Sequence, residues 1–95
     1  MKRLFNGLIN WTYREPVFQN ISNQTQFLKL KEEIQELRQA PDDPEEYVDC
    51  IMCLMILADR NNISYRELRK AFKRKLKINI TRKWEKDENG VNQHL

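Results

Sequence analysis

The residues of this chain best suited to chemistry are two pairs of acids. Glu33 and Glu36, within Glu32-Glu33-x-x-Glu36, stand three apart, and so do Glu46 and Asp49 beyond a proline-bounded turn. On a helix, side chains three or four apart share a face, so each pair projects two carboxylates to one side. Brought together, the carboxylates would repel, and a hard divalent cation removes that strain. An oxygen-only donor set selects Mg²⁺, Mn²⁺ or Ca²⁺ over zinc, and Mg²⁺ keeps positions open for water and substrate phosphates. The expected substrate is therefore a phosphate ester or anhydride. A solvated helix face explains either pair alone; its recurrence on two adjacent helices argues for the site.

Helices must hold these pairs in place. A first one is expected from about Gln24 to Gln39, because Phe27, Leu30, Ile34 and Leu37 recur at helical spacing as one apolar stripe. At about 100° per residue, Glu33 lies beside that stripe, Glu36 one step further round and Glu32 roughly opposite, as ordinary surface. Ala40-Pro41-Asp42-Asp43-Pro44 ends this helix and starts the next. Asp43 suits the N-cap, Pro44 the first helical position, and Asp43-x-x-Glu46 is also a capping-box pattern, a rival role for Glu46. That rival leaves Asp49 unexplained, an acid at the entrance to the apolar run Cys50 to Ala58.

The apolar helix closes near Arg60, at Asn61-Asn62. A third opens at Ser64-x-x-Glu67, with Ile63 and Leu68 at the staple positions, and runs to about Arg82 with Leu68, Phe72, Leu76 and Ile78 on its apolar side. Residues 1 to about 21 have mixed polarity and no sustained period, so an irregular arm is expected, with room for a short helix at its start. Residues 85 to 95, polar and carrying Asn89-Gly90, read as a mobile C-terminal tail.

The 95 residues suffice for one domain, and Gly 2, Pro 3 and 33% charged residues suit helices. The expectation is a single all-α domain over 1–95, an antiparallel helical bundle of about three main helices. Oligomerisation, as a dimer or tetramer, would complete it, because the apolar second helix needs cover on more than one side. The net charge is +3, acidic from Glu32 to Asp49 and basic from Arg66 to Lys86. The basic stretch suits a solvated face, polyphosphate or nucleic acid, and the last gives the alternative function: a non-enzymatic helical nucleic-acid-binding module using the third helix. Cys50 and Cys53 sit inside the apolar run and His94 is the sole histidine, so these thiols are expected to pack rather than bind zinc or cycle redox. The apolar run falls well short of the about 20 residues that span a bilayer, and the amino-terminal stretch is no signal sequence, so a cytoplasmic location is expected.

Leu30-Lys31-Glu32-Glu33-Ile34-Gln35-Glu36-Leu37 followed by Glu46-Tyr47-Val48-Asp49 resembles the E-x-x-E then E-x-x-D metal signature of the MazG-like superfamily of all-α nucleoside triphosphate pyrophosphohydrolases. Lys75-Leu76-Lys77-Ile78-Asn79-Ile80-Thr81-Arg82-Lys83-Trp84, with Gly90 and His94 beyond, looks like the small branch of dATP/dGTP pyrophosphohydrolases, several of them phage-borne. The resemblance covers roughly residues 11 to 94. It implies Mg²⁺-dependent hydrolysis, with Mn²⁺ as a substitute, of a (d)NTP between its α and β phosphates to (d)NMP and pyrophosphate, in a host cytoplasm for a phage-encoded protein. It also implies Glu33, Glu36, Glu46 and Asp49 as metal ligands, with Glu33 or Glu36 serving the attacking water, and Lys75, Asn79 and Arg82 as phosphate contacts. Trp11, Phe18 and Trp84 are candidates to flank the base. Nine residues separate Glu36 from Glu46, so the turn at Pro41 to Pro44 must be tight for the pairs to meet.

Overall fold

The element that carries the acids is a helical hairpin. In the computed structural model, which describes all 95 residues, the order is α1 (Lys2–Arg14), a 3-10 turn (Pro16–Phe18), α2 (Asn23–Gln39), α3 (Pro44–Arg60), α4 (Tyr65–Thr81), β1 (Trp84–Lys86) and β2 (Asn92–His94). The all-α expectation holds, with a fourth helix and a small antiparallel hairpin added. The chain divides into two compact units, Met1–Tyr65 and Arg66–Leu95, described in turn.

In the first unit α2 packs along α3, and α1 also packs on α3. Ser22 caps α2, its hydroxyl accepting from Thr25 N at 3.1 Å, and Asp43 caps α3, its carboxylate accepting from Glu45 N at 2.9 Å. The two helices are antiparallel: Asn23, opening α2, exchanges amide hydrogen bonds of 3.1 and 2.9 Å with Asn61, which closes α3. Beyond Asn61, Asn62 adopts a left-handed φ of 62°, and Ile63 N donates back to Ala58 O at 2.9 Å, satisfying a carbonyl that the ending helix leaves open.

The amino-terminal arm is a regular helix of 13 residues, where an irregular segment was expected. Phe5, Ile9 and Thr12 are its buried residues. That spacing is helical, and Asn6, Gly7 and Asn10 between them lie on the open side of the helix. A polar cluster fastens this helix to the end of α3. The Arg60 guanidinium lies 4.1 Å from the Tyr13 ring centre and donates to Asp59 Oδ2 (2.9 Å), Thr12 Oγ1 (3.3 Å) and Phe18 O (3.4 Å). Tyr13 Oη also donates to Asp59 Oδ2, at 2.8 Å. Asp59 thus has two donors and Arg60 three acceptors, which makes burial of this pair tolerable.

The apolar core is small: Phe5, Ile9, Cys53 and Ile56. Two of the four residues expected as the apolar stripe of α2 are open, Phe27 at 56% and Ile34 at 43% exposure, while Leu30 and Leu37 are half-buried. Gln26 and Glu33 are the buried residues of α2 instead. Seven residues bring a helix back to nearly the same angle, so Gln26, Leu30, Glu33 and Leu37 form the line that faces α3. On α3, Val48, Ile51, Met52 and Leu54 are likewise open.

In the second unit, α4 buries none of its residues, and Phe72 and Leu76, expected on a covered face, are 72% and 51% exposed. Residues 85 to 95 form an ordered hairpin where a mobile tail was expected, with β1 and β2 paired in register Trp84 to His94. Asp87 organises its turn: Oδ1 accepts from Asn89 N and Val91 N at 2.9 Å each, and Oδ2 from Gln93 Nε2 at 3.1 Å. These donors hold the Asp87 carboxyl below the usual aspartate range, the Val91 amide foremost. Gly90 supplies the left-handed φ of 79° that the turn requires. The sequence shows the turn residues, but the mostly polar Trp84–Lys86 and Asn92–His94 show no strand alternation.

Candidate metal centre

Antiparallel packing sets the C-terminal half of α2 beside the first turns of α3. There, one carboxylate oxygen from each of Glu33, Glu36, Glu46 and Asp49 lies within 4.8 Å of each of the others. The short link makes this possible. Ala40 N donates to Glu36 O and Leu37 O, Asp43 N donates to Ala40 O, and Tyr47 Oη closes the loop on Pro41 O at 3.0 Å. Nine intervening residues are therefore enough.

The four acids differ in their surroundings. Glu33 is buried, Glu46 half-buried, and Glu36 and Asp49 exposed, so the cage has a floor and an open mouth. Asp49 is placed one turn inside α3 on an exposed side rather than at the edge of a sealed core. Glu33 Oε1 accepts from Lys29 Nζ at 2.9 Å, whereas its Oε2 is buried without a hydrogen-bond partner, and so is Glu46 Oε2. Buried carboxylate oxygens are rarely left so, because desolvation without compensation is costly.

The capping-box role for Glu46 is not seen. Asp43 N, the donor such a box would use, bonds to Ala40 O at 3.1 Å. Asp43 caps the helix alone, and the Glu46 carboxylate turns toward the other acids.

Crowding shows in the acidities. The Lys29 ammonium bound to Glu33 holds that carboxyl below the usual glutamate range, against the opposing pull of burial. Glu36 is pushed up by its hydrogen bond to and repulsion from Glu33, and Glu46 is pushed up by burial and then by the charge of Asp49. Burial first, and the Glu33 charge second, push both the Cys50 and Cys53 thiols up. They are neutral thiols beside the cage, poor candidates for metal ligands.

The donor set fits a hard divalent cation. It is oxygen-only, two of its oxygens have no other partner, and its 4.8 Å span is close to the about 4.2 Å across an octahedral Mg²⁺ with bonds of about 2.1 Å. Zinc would favour nitrogen and sulfur ligands in a tighter tetrahedron.

Of the remaining expected residues, Glu32 is surface, as anticipated, with Lys29 Nζ 3.7 Å away. Lys75, Asn79 and Arg82 belong to the C-terminal unit. Lys75 is exposed on α4, Asn79 offers its carbonyl to Trp84 Nε1 at 2.9 Å, and Arg82, half-buried just past the helix, bonds through its backbone N to Ile78 O. Trp11 meets Phe18 edge to face at 4.9 Å between ring centres, and Trp84 meets His94 similarly at 5.7 Å. Sequence reasoning missed Lys29 and Gln26. The first carried a signal, four residues before Glu33 on the same face. Gln26, which donates to Cys53 O at 3.1 Å and joins α2 to α3, could be inferred only from its seven-residue offset to Glu33.

Over residues 4–95 the chain matches the family model described as dATP/dGTP pyrophosphohydrolase. A solved structure, the cyanophage S-2L MazG-like pyrophosphohydrolase bound to dGDP and three catalytic Mn²⁺ ions per active site, is 28% identical to it. That match covers 98% of this chain and 94% of the other, with a TM-score of 0.78. A comparison with curated proteins gave no match. No helix is long and apolar enough to cross a membrane. The chain belongs to the dATP/dGTP pyrophosphohydrolase family, within the MazG-like superfamily, and is a metal-dependent nucleoside triphosphate pyrophosphohydrolase.

Proposed function

We propose that this member of the family hydrolyses dATP and dGTP to the monophosphate and pyrophosphate, using Mg²⁺ or Mn²⁺ held by Glu33, Glu36, Glu46 and Asp49. One observation carries the reading: a four-acid cluster in which two buried carboxylate oxygens lack any partner. The cyanophage relative, with dGDP and Mn²⁺ in its active site, supports both the nucleotide class and the metal. The same reading displaces the alternative of a non-enzymatic nucleic-acid-binding module.

Bound there, divalent cations would activate water for attack and offset the charge of the departing pyrophosphate. The chain's own groups do the rest. Glu33 and Glu36, on one face of α2, are placed to orient the attacking water and to accept its proton as its oxygen joins the α-phosphorus. The bond from that phosphorus to the bridging oxygen breaks, and pyrophosphate leaves with the electron pair. Lys75, Asn79 and Arg82 donate hydrogen bonds to the triphosphate oxygens, and the two cationic side chains hold charge as it develops. No nucleophilic Ser or Cys is needed.

We further propose that the enzyme works as a homo-oligomer, in which a second copy covers the open apolar residues of α3. Sedimentation would show a dimer or tetramer, and Leu54→Asp would shift it toward monomer. The activity test is direct. Each dNTP is incubated with protein and Mg²⁺ and resolved by chromatography; monophosphate and pyrophosphate from dATP and dGTP are expected, and diphosphate as the main product would refute the reaction.

A further inference from the structure

The acidic cage must also exist before any cation enters it, and one side chain meets that need. Lys29 Nζ lies 2.9 Å from Glu33 Oε1 and 3.7 Å from Glu32 Oε2, whereas the other ion pair of the N-terminal unit, Arg60 with Asp59, belongs to the clamp on α1. Lys29 stands one turn before Glu33 on the same face of α2. Its side chain is 54% exposed, so the ammonium can swing away into water without disturbing the helix. Glu33 divides its oxygens accordingly, one held by Lys29 and the other buried and unpartnered.

We propose that Lys29 is the resident counter-ion of the metal cage: in the metal-free protein its ammonium offsets the repulsion among the four carboxylates, and it competes with the first divalent cation for Glu33. The proposal rests on the metal-site reading above. With Lys29 in place the cage carries one positive charge against four negative ones; without it, an entering cation meets the full acidic field. The ammonium is thus a partial substitute for the ion, held by one oxygen of a carboxylate that the ion would also use.

Lys29→Met removes the charge and keeps the apolar stem, while Lys29→Arg keeps the charge. Both would be compared with the parent protein by Mn²⁺ calorimetry without nucleotide, at low and high salt, and by melting with and without Mn²⁺. Lys29→Met should bind Mn²⁺ about three- to tenfold tighter at low salt, with the advantage shrinking as salt screens it. Its metal-free Tm should fall, and its Mn²⁺-induced rise in Tm should exceed that of the parent, while Lys29→Arg follows the parent. A Lys29→Met protein that folds only as Mn²⁺ is added supports the proposal; one that fails to fold at any Mn²⁺ concentration overturns it. Equal or weaker Mn²⁺ binding by Lys29→Met overturns it too and leaves the metal site standing. Absence of Mn²⁺ binding by the parent protein is a different result, which removes the metal site and the counter-ion together.

Discussion

The two units of this molecule break opposite rules of burial. In Met1–Tyr65 polar groups are inside: Thr12 is fully buried, and Gln26 and Glu33 nearly so. In Arg66–Leu95 apolar groups are outside: Phe72, Leu76 and Ile80 follow one another at four-residue steps along an open face of α4. Charge divides the same way, with seven basic and ten acidic residues up to Tyr65 and ten basic and four acidic residues from Arg66 onward. Thr12 and Gln26 have hydrogen-bond partners, but one oxygen of Glu33 does not, and the proposed metal site rests on that exception. An exposed apolar stripe marks a different lack, that of a covering surface. The first anomaly belongs to Met1–Tyr65 alone, whereas the second is shared, since Val48, Ile51, Met52 and Leu54 of α3 are open as well.

The largest expected effect comes from removing the buried anomaly. Glu33→Gln keeps the shape but not the charge, and it should lower the rate of pyrophosphate release by about 10²–10³-fold and abolish the Mn²⁺-induced rise in Tm. A variant that retained both would erase the distinction between the units. Next are the basic residues of the second unit. Lys75→Ala and Arg82→Ala should raise KM about ten- to hundredfold, the cost of losing a charge-assisted hydrogen bond, while leaving the metal-linked Tm shift intact. Loss of metal binding in either variant would show that the two units do not divide the work as proposed.

A smaller effect follows from pH. Glu36 and Glu46 have folded-state values pushed above the ordinary 4.5, so the native metal-free protein takes up these protons more readily than the unfolded chain and gains stability as pH falls through that range. Glu33 is held below 4.5, so its contribution is present above the unfolded value and is lost as pH falls through its lowered one. Melting curves at stepped pH should therefore show the Mn²⁺-induced increment in Tm shrinking on acidification, since protons and cation compete for the same oxygens. An increment that grew with acid would contradict the assignment. The smallest effect belongs to Asp87→Ala, which removes three acceptor contacts from the hairpin turn. Hydrogen exchange should accelerate at the Val91 and Leu95 amides, while Mn²⁺ binding stays unchanged.

How far the sequence reached differs between these regions for a physical reason. Helix α3 was legible at both ends, because Asp43-Pro44 and Asn61-Asn62 act locally on their own backbone. The acidic pairs were legible as pairs, because three residues of helix fix their common face. Helix α1 had the spacing of Phe5, Ile9 and Thr12 to show, but what fastens it, Arg60 and Asp59 more than 40 residues away, was not legible. The hairpin of β1 and β2 was legible only at its turn, Asn89-Gly90, because the mostly polar residues on either side show no alternation that marks a strand.

By itself the sequence determined which residues could bind a cation, that they come in helical pairs, and that oxygen alone would be offered. Only the tertiary structure decided that Glu46 turns to the cage rather than back to its own cap, that Gln26 and Glu33 rather than Phe27 and Ile34 face α3, and that Lys29 stands at the rim. Helical period fixes an angle around an axis. What lies at that angle is set by the neighbouring helix, and here the α2–α3 packing makes it an acidic cage where the apolar stripe of α2 had suggested a hydrophobic contact.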